Sequence, residues 1–101
     1  MDRRLELHKK LLAIKGVKNA YFNPDSNVSM IYPCIRYNRS GEQVKYASNG
    51  RFITRDRYVL TAIDWDPESS IFRALEAFPY YSFNRFYTAD GLSHFVCSIY
   101  Y

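Results

Sequence analysis

The chain has 101 residues, 48% of them apolar and 18% aromatic, with a formal net charge of +4. This composition excludes a fully disordered chain, and a length near one hundred residues reads as a single domain spanning 1–101. No apolar run is long enough to cross a membrane, and the charged opening MDRRLELHKK lacks the apolar stretch of a signal peptide, so the expected site of synthesis is the cytoplasm.

Residues 2–15 are predicted to form a helix. Leu7, Leu11 and Ile14 recur at helical spacing, and Leu5 and Leu12 are expected to widen the stripe. Gly16 is well placed to stop it. The first 18 residues carry six basic side chains against Asp2 and Glu6, which accounts for the whole net charge. Arg3, Arg4, Lys9 and Lys10 are the candidate basic helix face. Such a face suits nucleic acid or an acidic partner, and its plainer reading is a solvated surface.

Ala20–Asn23 is a candidate short strand, followed by the turn cluster Pro24-Asp25-Ser26-Asn27. Met30–Asn38 reads as a strand with Ile31, Ile35 and Tyr37 on one side and Tyr32, Cys34 and Arg36 on the other. Pro33 has no amide to donate, which predicts an edge strand or a bulge there. Residues 38–56 hold the turn signals Ser40-Gly41 and Asn49-Gly50, and the expected form is a long basic hairpin projecting from the body. Arg39, Lys45, Tyr46, Arg51, Phe52 and Arg55 on it are candidate contacts with a neighbouring molecule.

Arg57–Trp65 is the clearest strand. Both of its sides are largely apolar, which predicts a central strand covered twice, the second cover being a helix or a neighbouring subunit. Asp66 is the expected N-cap of a second helix, with Pro67 at its first position and an end near Phe78, before Pro79. Phe83–Thr88 and His94–Tyr101 are the expected closing hairpin, turned by Ala89-Asp90-Gly91-Leu92. The predicted fold class is α+β: a small antiparallel or mixed sheet with two flanking helices.

Catalytic chemistry finds little support. His8 falls on a basic helix and is expected to be exposed, and His94 and Cys97 are three apart, hence on opposite sides of a strand. A meeting of Cys34 with His94 stays open, although buried cysteines are commonly core residues. Asp64 and Asp66 look like paired carboxylates, but helix-start chemistry explains the second, and a metal needs more ligands. No cofactor-binding or nucleotide-binding motif is present. Arg36, Arg39, Lys45 and Arg51 interleave with Tyr37, Tyr46 and Phe52, a pattern compatible with single-strand binding as well as with an ordinary core.

A set of residues spread along the chain is familiar. It includes Tyr32-Pro33-Cys34-Ile35, then Tyr58, Thr61, Ile63-Asp64, Asp66-Pro67, Ser69, Ile71 and Leu75. It continues through Pro79-Tyr80, Phe83-Asn84-Arg85, Tyr87, Ala89-Asp90, Leu92 and His94 to Tyr100-Tyr101. Their order and spacing resemble the tail-terminator and tail-completion proteins of the neck of long-tailed bacteriophages, most strongly from Tyr58 onward. The resemblance implies a virion protein without enzymatic activity or cofactor. Such proteins form a ring, commonly a homohexamer, on the tail-tube protein and offer a face to the head-completion (stopper) protein. DNA passes through the lumen without sequence-specific contact. Two other readings remain: a different neck subunit, either head-closure or adaptor, and a small basic nucleic-acid-binding module.

Overall fold

A computed structural model describes residues 3–24, 29–47 and 50–101; of Arg3, 42–47 and 50–55 it describes the backbone alone. The elements are α1 (Arg3–Leu12), β1 (Asn19–Phe22), β2 (Cys34–Ala47), β3 (Gly50–Asp64), α2 (Ser70–Ala74) with a 3₁₀ turn (Leu75–Ala77), β4 (Ser82–Ala89) and β5 (Leu92–Tyr100). The strands form one five-stranded mixed sheet in the order β1-β2-β3-β5-β4, with β1 parallel to β2 and all other pairs antiparallel. The fold is α+β, as the pattern of elements predicts.

Both helices pack on one side of this sheet. Leu7 and Leu11 of α1, Ile71 and Phe72 of α2, and Leu75 meet Ala20, Ile35, Tyr37, Tyr58, Leu60, Ala62, Cys97 and Ile99 in a single core. The apolar stripe of α1 is narrower than expected: Leu5 and Leu12 are 50% and 42% exposed. At 100° per residue they lie roughly 140–160° around the helix from Leu7, so they cannot share its side. Gly16 ends this segment with φ of 100°, and Ile71 Cδ1 would stand 3.6 Å from a Cβ there. The contact would be an ordinary one, so it is the left-handed conformation that favours glycine here.

Pro33 lies just ahead of β2, and its carbonyl accepts from the Lys18 amide at 2.8 Å. The missing amide therefore costs the ladder nothing; β2 is interior, between β1 and β3, rather than an edge, and its register shifts fall at Arg39/Gly41 and Gln43/Val44 rather than at Pro33, so neither expected form is found there. Ser40-Gly41 is not a turn. The β2–β3 register shifts between Arg39 and Gly41, so the glycine marks a bulge within a continuous strand. Asn49 lies outside the described residues. Beyond this bulge the two strands pair on with each other as far as Ala47 and Gly50. Neither β1, whose pairing ends at Tyr37 of β2, nor β5, whose pairing ends at Arg57 of β3, follows them. The expected hairpin thus projects as a two-stranded ribbon, consistent with a molecule 52 Å long and 24 by 23 Å across.

The second helix starts later than predicted. Asp66 Oδ1 accepts from the Glu68 amide at 2.9 Å and the Asp66 carbonyl accepts from Ser69 at 3.2 Å, which makes a turn of Asp-Pro-Glu. Ser69 is the N-cap: its Oγ accepts from the Ile71 amide at 3.2 Å. A short polar residue three positions downstream competes for the cap because the aspartate is already satisfied by its own turn. The closing hairpin is as tight as a two-residue connection allows. Ala89 pairs with Leu92, and Asp90 and Gly91 take φ of 53° and 75°, the left-handed pair that matches the twist of the flanking strands.

Candidate functional site

The side chains expected to matter separate into three groups in space. On the hairpin, Arg39 stacks at 5.9 Å over the Tyr58 ring and pairs with Asp56 at 3.4 Å. The side chains of Lys45, Tyr46, Arg51, Phe52 and Arg55 lie outside the described residues; the backbone pairs Lys45 with Phe52 and Tyr46 with Arg51. The basic residues of α1 do not form one face. The Arg4 guanidinium stands 4.5 Å from the Phe22 ring centre and the Lys10 ammonium 4.9 Å from that of Tyr101. Lys9 is exposed on another side, and the side chain of Arg3 lies outside the described residues. The spread follows from the helical repeat, which sets Lys9 roughly 140° from Arg4. Asp66 and Pro67 belong to the turn before α2 rather than to its cap.

No pair assembles for nucleophilic catalysis among the described residues. His8 is half-buried, not exposed as expected, because its Nδ1 lies 2.7 Å from the Tyr37 hydroxyl. Burial first, and the Arg4 charge second, lower its pKa, and the tautomer of the ring sets which of the two groups donates in this hydrogen bond. Cys34, Ile63 and His94 occupy one row of the sheet, with Ile63 between the other two. Two strand spacings, roughly 10 Å, keep the thiol from the imidazole. Burial pushes the Cys34 thiol up to about 11 and the Cys97 thiol up to about 12, which leaves neither as a thiolate near neutral pH. Asp64 Oδ1 accepts from the Asp66 amide at 3.3 Å. No group of three or more metal-ligating side chains gathers among the described residues.

What the fold does assemble is surface. Strand β4 is the sheet's outer edge and every residue of it is exposed. Phe83 and Phe86 project from it toward the helix side, where with Phe72, Tyr81 and Phe95 they line a groove of about 620 Å³. Phe72 stacks on Phe95 at 5.1 Å and meets Phe86 edge-on at 6.0 Å. The Arg73–Glu76 ion pair, 2.9 Å, sits at its rim. Further apolar side chains are exposed elsewhere: Leu5 and Leu12 on the outer side of α1, and Ile31 and Trp65 near one end of the sheet.

Among the described residues, no helix packs on the opposite side of the sheet. Met30 and Tyr32 cover only one end, over Cys34, Ile63 and Leu92. The register sets Tyr21, Arg36, Thr61, Val96 and Arg85 in one row across all five strands. The next row ends in Tyr87 stacked on His94, 4.6 Å apart and 11° from parallel, with the Arg85 guanidinium 4.9 Å from the Tyr87 ring centre. Sequence reasoning missed this face and the groove. The cause in β4 is the register shift between Phe83 and Arg85, which interrupts the alternation that would have sorted Phe83 and Phe86 from Arg85 and Tyr87.

Comparison of the chain with protein-family models, with curated proteins and with solved structures finds no match.

Proposed function

We propose that this protein is a tail terminator of a long-tailed phage: a structural subunit that closes into a ring on the tail tube and joins it to the head-completion proteins. The observation that carries the reading is strand β4, a sheet edge of eight exposed residues bearing Phe83, Phe86 and Tyr87. An exposed edge strand bearing several aromatic side chains is an aggregation hazard in a monomer and is ordinarily covered. A ring supplies the cover, because a head-to-tail interface joins one patch to a different patch of the next copy. Such a second patch is available, since Leu5 and Leu12 on α1 and Ile31 and Trp65 at the sheet end are also exposed. The resemblance of the sequence from Tyr58 onward supports the choice of this assembly over others, and the hairpin of β2 and β3 is the element with the reach to touch an adjacent ring.

Partners follow from this role: further copies of the chain, the tail-tube protein on one side, the stopper on the other, and DNA threading the lumen. No membrane partner is invoked; among the described residues no helix is long and apolar enough to cross one. Two variants test the reading. Phe86→Asp puts a charge in the middle of the β4 edge and is expected to abolish rings in native mass measurements while the monomer stays folded. Deleting 40–52 is expected to leave a folded domain that no longer completes tails. Normal infectious particles from both variants would remove the proposal. A different neck subunit would instead bind the connector and leave tail tubes uncapped.

A further inference from the structure

We propose that the helix-free face of the sheet binds the phosphodiester backbone of nucleic acid. The shape of this face comes from the sizes of its residues. Arg36 on β2 and Arg85 on β4 stand in one row with Thr61 and Val96 between them. The next row inward holds Val59 and Ser98. In these two rows the long side chains of Arg36 and Arg85, about three strand spacings or roughly 14 Å apart, flank the short side chains of β3 and β5 as the walls of a trough. Its floor is recessed: Val96 and Ser98 are only 8% and 5% exposed although no helix lies over them.

The charge of the trough has one sign. Arg36 and Arg85 are exposed, and Arg57, held by its Nη1 donating to Ser40 Oγ at 2.9 Å, extends the same side. No carboxylate among the described side chains falls on this face. Strand alternation sends Asp56 and Asp64 to the helix side, and Glu6, Asp66, Glu68, Glu76 and Asp90 belong to helices and turns. The occupant is therefore anionic. A second copy is disfavoured because the chain carries a net charge of +4, whereas a phosphodiester chain offers regularly spaced negative charge to opposed arginines. Thr61, half-buried, supplies a hydroxyl of the kind that contacts phosphate and sugar, and the exposed Tyr87 ring offers a stacking surface beside Arg85. These features favour nucleic acid over an acidic protein segment. The inference rests on this face alone and does not depend on ring formation.

The test is fluorescence anisotropy of the full chain with labelled oligothymidylate and with a short labelled duplex, between about 50 and about 200 mM salt. The double variant Arg36→Glu/Arg85→Glu is expected to lose at least roughly tenfold in affinity at the lower salt and to flatten the salt dependence by about two phosphate contacts. Arg36→Gln/Arg85→Gln removes the charge without reversing it, is expected to show the same ranking, and keeps the test valid if the reversal unfolds the chain. The matched control is Lys9→Glu/Arg73→Glu, an equal change of net charge at exposed residues on the helix side. It is expected to weaken binding far less. Tighter binding of one oligonucleotide identifies single or double strands as the preferred form. Equal losses from both pairs, no binding of either oligonucleotide at low salt, or polyglutamate bound as tightly with the same dependence on Arg36 and Arg85 would each overturn the proposal.

Discussion

The two faces of this sheet are built from the same strands, yet they have opposite fates. On the covered face Tyr37, Tyr58, Leu60 and Ile99 are fully buried under α1 and α2. On the open face their immediate neighbours Arg36, Val59, Thr61 and Tyr100 remain at least partly accessible. A run such as Tyr58-Val59-Leu60-Thr61-Ala62 is apolar enough on both sides to suggest two covers, and this chain provides one. The contrast teaches where the stability and where the function reside. Most burial energy lies on the helix side; the open side holds a smaller buried cluster at one end, around Cys34, Ile63 and Leu92, and its accessible side chains, with those of the edge β4, are the ones placed to meet partners.

The largest effect should come from neighbours that point to opposite faces. Leu60→Ala removes a fully buried side chain and is expected to cost about 2–5 kcal/mol in urea unfolding. Thr61→Ala, one residue on, should stay within about 0.5 kcal/mol. A Thr61 variant as destabilised as the Leu60 variant would mean that the open face is part of the core after all.

A smaller difference separates two buried tyrosines within the covered face. The Tyr37 hydroxyl meets His8 Nδ1, whereas the Tyr58 hydroxyl is buried with no hydrogen-bond partner among the described residues. Tyr37→Phe is expected to cost about 1 kcal/mol, and Tyr58→Phe to be neutral or slightly stabilising, because it deletes an unsatisfied polar atom. Equal losses in denaturant midpoints would show that the Tyr58 hydroxyl is satisfied in solution.

The smallest effect is a pH dependence of the same cluster. Burial and Arg4 lower the His8 pKa below its ordinary value of 6.5. The unfolded chain therefore takes up this proton at a higher pH than the folded one. Stability from His8 is complete above about pH 6.5 and falls as pH drops below it. His8→Gln should flatten that part of the stability profile, and an unchanged slope would assign it to other groups.

The parts of the fold that local chemistry dictates were legible in the sequence. Asp90-Gly91 between two alternating runs specified the β4–β5 hairpin, and the long apolar run around Leu60 specified a central strand. The helix-side core was legible through Leu7, Leu11, Ile71 and Leu75. What was not legible depended on competition or on small offsets. Leu5 and Leu12 share the composition of a core stripe but not its angle. Asp66 and Ser69 are both able to cap a helix, and only the turn made by Asp66 decides between them. The candidate surfaces were harder still, because Arg36 and Arg85 are 49 positions apart in the chain and come into one row only through pairing across β3 and β5. The hairpin basic residues had a visible signal, whereas the open face had none that a single strand could display.

Assembly through surfaces is tested most directly by mixing the protein with purified tail tubes of a long-tailed phage and imaging tube ends in negative stain. The expected result is a cap on one end of each tube, further tube growth stopped, and both effects lost with Phe86→Asp. Tubes that stay uncapped at saturating protein, with growth unchanged, would contradict the terminator reading and leave the open basic face as the feature that needs a function.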